Sequence, residues 1–93
     1  MKDVALTRIL TIKNRKGLHA RASAKLVQVA SSYKSEITVA RDGTKVVGTS
    51  IMGLLTLAAA PGCAIEVSAK GPDAREALDA IERLIEARFD EAE

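Results

Sequence analysis

The sequence predicts an α+β fold in the element order β-α-β-β-α-β-α, an antiparallel sheet with one face covered by helices. Three observations predict it. Apolar and polar residues alternate in short runs over 6–12 and 63–69, and Ile37 with Val39 and Val46 with Val47 flank the middle of a second strand run over 36–48, the patterns of half-buried strands. Over 22–33 and 74–85 the apolar residues recur at three- and four-residue spacing, as on one face of a helix. The dipeptide Asp42-Gly43 divides the second strand run and supplies a hairpin turn.

In LTRILTI, residues 6–12, Leu6, Leu10 and Ile12 share one face, and Thr7 and Thr11 take the other. NRKG, residues 14–17, ends that strand. From there apolar positions fall at Ala22, Leu26, Val29 or Ala30, and Tyr33, leaving Lys25, Gln28 and Ser32 elsewhere on the cylinder. In EITVARDGTKVVG, residues 36–48, Ile37 and Val39 lead into the turn, and Val46 and Val47 lead out. TSIMGLLTL, residues 49–57, predicts a two-turn helix with Ser50 as its N-cap. Pro61-Gly62 marks a turn, after which CAIEVSA sets Cys63, Ile65, Val67 and Ala69 against Ala64, Glu66 and Ser68. The last helix opens at GPDARE, where Asp73 is expected to cap and Glu76 to reach back in a variant of the capping box. Ala74, Ala77, Leu78, Ile81, Leu84 and Ile85 form its buried stripe, and Asp79, Glu82 and Glu86 are expected to face water.

Ninety-three residues make one domain, 1–93. A hydrophobic share of 47% excludes a disordered chain. Trp is absent and the aromatics are Tyr33 and Phe89, which argues against a nucleic-acid binder that works by base stacking. The lone Cys63 has no internal disulfide partner, fits a reducing compartment, and is expected to serve packing. Arg8 and Lys13 interrupt the N-terminal apolar runs, so no signal peptide is expected, and no apolar stretch approaches the roughly 20 residues that span a bilayer. The chain is expected to be cytoplasmic and monomeric, with no membrane insertion.

The net charge of +2 hides an asymmetry. Residues 1–70 carry 11 Lys/Arg against 4 Asp/Glu, and residues 71–93 carry 3 against 8. Lys13, Arg15 and Lys16 precede His19, the only histidine, and Arg21 and Lys25 follow it. Most of these charges read as solvated surface; together they also make a field that draws in an acidic partner or a phosphate. Gly17 permits an unusual backbone just before His19, which lands at the start of the first helix. The first N–H groups of a helix lack internal acceptors, and the helix dipole adds partial positive charge there, so that end suits an anion. An imidazole with a free lone pair is a nucleophile. A phosphoryl group on its Nδ1 would hang over the backbone at Gly17, Ala20 and Ala22, and Arg21 could add a bidentate cationic contact. No G-x-x-x-x-G-K-[ST] loop and no carboxylate cluster for Mg²⁺ occurs, so no cofactor or metal is expected and the donor's chemistry belongs to another protein. The plainer role for His19 is a helix cap or a surface residue.

GLHARASA, Gly17–Ala24, resembles the signature G-L-H-A-R-P-A of the histidine-containing phosphocarrier (HPr) family of the phosphoenolpyruvate-dependent phosphotransferase system. TSIMGLL, Thr49–Leu55, is similar to that family's second signature, around a regulatory serine. The tail KGPDAREALDAIERL…RFDE looks most like the nitrogen-related NPr branch. The resemblance implies an open-faced β-sandwich of one four-stranded antiparallel sheet and three helices. It implies that enzyme I phosphorylates His19 on Nδ1, that Arg21 is the charge partner, and that the group passes to a histidine of an enzyme IIA protein. Such a protein is a covalent intermediate rather than an enzyme. Ser50 matches the serine that a kinase/phosphorylase modifies in some members. Two positions depart from the pattern: Ala22 replaces the family proline, which implies a looser first turn, and Thr49 replaces a frequent lysine, which puts kinase recognition of Ser50 in doubt.

Leu54 and Leu57 are expected to point inward, leaving Ile51, Met52 and Leu55 as a docking patch near His19, rimmed by basic residues such as Lys16 and Lys25. A regulatory module of another class would use the same patch, with phosphorylation of His19 or Ser50 as a switch. Onward passage of phosphate separates the two readings.

Overall fold

Leu10, Ile37, Val39, Ile65 and Val67 all point to one side of a sheet and are buried there. The structure, a computed structural model, describes residues 4–91. Its strands are β1 (Leu6–Thr11), β2 (Glu36–Arg41), β3 (Thr44–Val47) and β4 (Ala64–Lys70), in the spatial order β1-β4-β2-β3. Every neighbouring pair is antiparallel, with Leu10 opposite Ile65 and Val39 opposite Val67. The helices are α1 (Ala20–Ser31), α2 (Ile51–Thr56) and α3 (Ala74–Glu86), and a 3₁₀ turn over Arg88–Asp90 follows α3. Leu26, Leu54, Leu78, Ile81, Ile85 and Phe89 close the core above the sheet. On the other face the Thr7 and Ser68 hydroxyls share an exposed hydrogen bond, and Ile9 is exposed. This is the expected open-faced sandwich. No helix among the described residues is long and apolar enough to cross a membrane.

The hairpin forms where the sequence predicts it. Asp42 and Gly43 both take positive φ, 50° and 85°, which lets the tight turn follow the twist of β2 and β3. Ser50 is the N-cap of α2, its Oγ accepting from the Gly53 N–H at 3.0 Å. Helix α1 starts at Ala20, two residues before its first apolar position, and ends before Tyr33, which packs on the core from outside the helix.

Two expectations about α3 need correction. Asp73 occupies the N-cap position, but its side chain caps nothing and no capping box forms. Its carboxylate instead accepts from the Lys34 N–H (2.8 Å), the Ser35 N–H (2.9 Å) and the Ser35 Oγ–H (2.5 Å). Three donors from the loop before β2 outcompete the helix's own N–H groups, and the loop is thereby tied to the start of α3. Asp79, Glu82 and Glu86 do not simply face water either. Arg8, on the helix-covered side of edge strand β1, reaches Asp79 at 2.8 Å and Glu82 at 2.9 Å, and Lys13 reaches Glu86 at 2.7 Å. Half-exposed pairs of this kind contribute about 0–1 kcal/mol each. They matter here for registering α3 along β1.

The hydroxyl of Ser35 and the Lys34 and Ser35 amides hold the Asp73 carboxyl below its ordinary value of 3.8. A carboxyl lowered by folding stabilises the fold fully above its unfolded value, and that contribution is lost as pH falls through the lower folded value. Asp73→Ala is therefore expected to lower the urea midpoint at pH 7, with the gap to the parent chain narrowing at about pH 2.5. An equal gap at both pH values would contradict this assignment.

Candidate functional site

The segment between β1 and α1 is pinned at both ends. Beyond β1, the Ile12 N–H donates to Cys63 O (2.9 Å), and the Gly62 N–H returns a bond to Ile12 O (2.8 Å). Asn14 then turns fully inward, and its Nδ2 donates to Gly17 O at 2.7 Å while the Gly17 N–H donates to Asn14 O at 3.2 Å. Gly17 has φ +69°, and a Cβ there would lie 2.5 Å from Ala59 O and 3.1 Å from Ala60 Cα. Only glycine meets both demands, the left-handed backbone and the close approach. Leu18 follows, buried, its N–H donating to Ala59 O at 2.8 Å.

This turn delivers His19 as the N-cap of α1, with φ −86° and ψ −176°. Its carbonyl accepts the first helical bond, from the Ser23 N–H at 2.8 Å, but its side chain does not cap. The N–H groups of Ala20, Arg21 and Ala22 therefore precede the first rung of the helical ladder. The imidazole is 29% exposed. Its Nε2 is hydrogen-bonded to Glu91 Oε2, and its Nδ1 has no hydrogen-bond partner among the described residues.

Glu91 arrives from the end of the chain. Arg88, Phe89 and Asp90 take φ of 56°, 56° and 59°, three successive left-handed residues without a glycine. Such backbone costs roughly 1–2 kcal/mol per residue and persists only where its surroundings impose it. Phe89 is fully buried in the core, and Lys25 Nζ donates to Phe89 O at 2.8 Å. The turn carries Glu91, with a side chain 12% exposed, to His19 and to Asn14, whose Nδ2 donates to Glu91 Oε1 at 3.1 Å. Burial acts to raise the Glu91 carboxyl. Hydrogen bonds from His19 and Asn14, with attraction to His19 and Lys16, outweigh burial and hold it below its ordinary value of 4.5.

A cleft at this point is lined by Lys16, His19, Ala20, Arg21, Lys25 and Glu91. Arg21 is exposed, and its guanidinium makes no hydrogen bond or ion pair among the described residues. Ala22, where the signature it resembles carries proline, is fully buried under the helix start. Lys25 lines the cleft, its Nζ donating to the Phe89 carbonyl and lying 4.0 Å from Asp90 Oδ2. On α2, Leu54 and Leu57 are buried as expected, Ile51 and Met52 are 39% and 72% exposed, and Leu55 is only half-exposed. Helix α2 packs on α1, but none of its side chains lines the cleft, and Ser50 lies outside it.

Sequence reasoning missed Asn14 and Glu91. Asn three residues before Gly17 is a turn signal that pointed to the loop. Nothing local marked Glu91, because its approach depends on a left-handed turn built from residues that seldom form one.

Residues 6–87 match the family model described as the PTS HPr component phosphorylation site. The chain is 48% identical over 88 residues to the phosphocarrier protein HPr of Cupriavidus necator, covering 95% of this chain and 99% of that protein. It is 47% identical over 87 residues to the phosphocarrier protein NPr of Shewanella violacea, covering 94% and 96%. Among solved structures, HPr-C-His from Thermoanaerobacter tengcongensis superposes with a TM-score of 0.90 at 42% identity, covering 95% of this chain and 99% of that one.

The fit of Gly17 against Ala59 gives a direct test. Gly17→Ala is expected to destabilise the fold by about 1–3 kcal/mol, read as a lowered urea midpoint. A midpoint unchanged from the parent chain would mean that the turn does not depend on this contact.

Proposed function

The chain belongs to the HPr family of the phosphotransferase system, and from that premise we propose that His19 accepts a phosphoryl group on Nδ1 from phosphorylated enzyme I and passes it to a histidine of an enzyme IIA protein. The observation that carries this reading is the placement at the N-terminus of α1 of an Nδ1 with no partner among the described residues, in one cleft with Arg21.

The Nδ1 lone pair attacks phosphorus. One P–N bond forms on His19 as the P–N bond to the donor histidine breaks, and the donor ring keeps the departing electron pair. The transferred group brings negative charge to a helix start that supplies N–H donors at Ala20 and Arg21, unpaired among the described residues, and the positive end of the dipole. Arg21 contributes a planar guanidinium with no competing partner among the described residues. Phosphoryl transfer is mainly positioning and charge stabilisation, and both are properties of this short stretch of chain. Donation to the acceptor histidine runs the same step in reverse. The protein is thus a carrier, one domain over 1–93, consumed and regenerated as a covalent intermediate.

Docking falls to the exposed Ile51 and Met52 with part of Leu55, and exposed Lys16 in the cleft beside His19 adds positive charge for an acidic partner. The same surface serves donor and acceptor in turn, so its contacts are brief and its area small. We assign Ser50 first to capping α2, worth about 1 kcal/mol. An HPr kinase/phosphorylase acting there would add charge beside Ile51 and Met52 and disturb docking. The carrier works as a cytoplasmic monomer.

His19→Ala is expected to take up no phosphoryl group from phosphoenolpyruvate and enzyme I, as read by intact mass, while its circular dichroism stays that of the parent. Labelling of the alanine variant would end the assignment to His19. Arg21→Ala is expected to slow transfer roughly 10–100-fold, with less effect on binding to enzyme I. An unchanged rate would remove Arg21 from the site. Phosphate that enters but never reaches an enzyme IIA histidine would make the chain a regulatory module instead.

A further inference from the structure

We propose that Glu91 is a positioning residue for the transfer step, holding the proton of the His19 ring on Nε2 so that the lone pair stands on Nδ1; the proposal rests on the phosphocarrier reading. Glu91 is the acidic side chain that reaches the ring among the described residues, and it reaches Nε2. An ionised carboxylate accepts hydrogen bonds and donates none. The proton of that bond therefore belongs to the ring, on Nε2. A neutral imidazole protonated there has its only lone pair in the ring plane on Nδ1, the atom over the start of α1.

The carboxylate is itself held. Its other oxygen accepts from Asn14 Nδ2, and Asn14 is fully buried and bonded to Gly17 O, within the turn that orients His19. Asn14 thus ties the backbone of the histidine and the partner of its ring to one anchor. From the other side, the turn at Arg88–Asp90 is fixed by buried Phe89 and by Lys25. A carboxylate fixed from both sides selects one tautomer rather than following the ring as it rotates.

The charges work in both directions of transfer. When Nδ1 binds phosphorus, the proton on Nε2 stays and the ring becomes cationic. The Glu91 carboxylate then faces a positive ring. When the group leaves, the electron pair returns to Nδ1 and the ring is neutral again. No proton enters or leaves in either direction, so no further acid or base is needed.

His19 is the only histidine, so ¹⁵N-histidine labelling of the full chain gives one ring with two nitrogen signals. At mildly alkaline pH the parent chain is expected to show Nε2 protonated and Nδ1 bare. In Glu91→Ala both signals are expected to move toward the averaged positions of interconverting tautomers, and transfer from phosphorylated enzyme I is expected to slow roughly tenfold. Glu91→Gln keeps an acceptor oxygen without the charge. It is expected to keep the tautomer and transfer at an intermediate rate, and it reads the same question if the alanine variant misfolds. A Glu91→Ala ring with unchanged signals, or an altered ring with the parent's transfer rate, would overturn the proposal. A parent chain that takes up no phosphoryl group would overturn the carrier reading instead, while the ring signals of the unmodified parent and Glu91→Ala chains still decide the part played by Glu91.

Discussion

The site depends on how closely two backbones approach. Gly17 sits against Ala59 and Ala60 with no room for a side chain, and Leu18 hydrogen-bonds to the same Ala59 carbonyl. That contact ends the loop after β1 at a fixed place over the end of the sheet, so the chain can enter α1 only in the direction observed. The open N–H groups at the helix start and the imidazole beside them follow from it. A longer or looser loop would leave the same residues in sequence without holding the ring against the helix end.

The charge asymmetry of the sequence takes geometric form in the same region. Going forward along the chain, Arg8 meets Asp79 and Glu82, Lys13 meets Glu86, and His19 meets Glu91. The partners advance together because β1 and α3 run in the same direction. The first two contacts are half-exposed and individually weak. They keep the same register along β1 and α3, and the left-handed turn that follows α3 sets Glu91 down beside His19. The acidic C-terminal region offsets part of the basic loop's field at the ring, while Arg21 stays uncommitted among the described residues.

Much of this was legible in the sequence, because periodicity and turn chemistry are local. Alternation gave the strands, Asp42-Gly43 the hairpin, Ser50 its helix, and Gly17-Leu18-His19 the address of the site. What was not legible depended on partners distant in sequence. Asp73 reads as a cap until the amides of Lys34 and Ser35 come within reach, and Lys25 reads as a free cation until the Phe89 carbonyl meets it. Glu91 lies 72 residues from His19, beyond a turn of Arg88, Phe89 and Asp90 that no propensity favours. Core burial of Phe89 imposes that turn, and burial of one side chain outweighing local preference is a feature that a short window of sequence cannot contain.

The central claim is that the Nδ1 atom of His19, over the start of α1, carries the phosphoryl group. Nitrogen–phosphorus coupling in the phosphorylated, ¹⁵N-labelled chain tests it most directly, read with the amide spectrum of Ala20 and Arg21. A single phosphoryl group coupled to Nδ1 is expected, with those two amide protons shifted downfield as they bond to it. Coupling to Nε2, or a phosphoryl group on Nδ1 that leaves those amides unmoved, would contradict it.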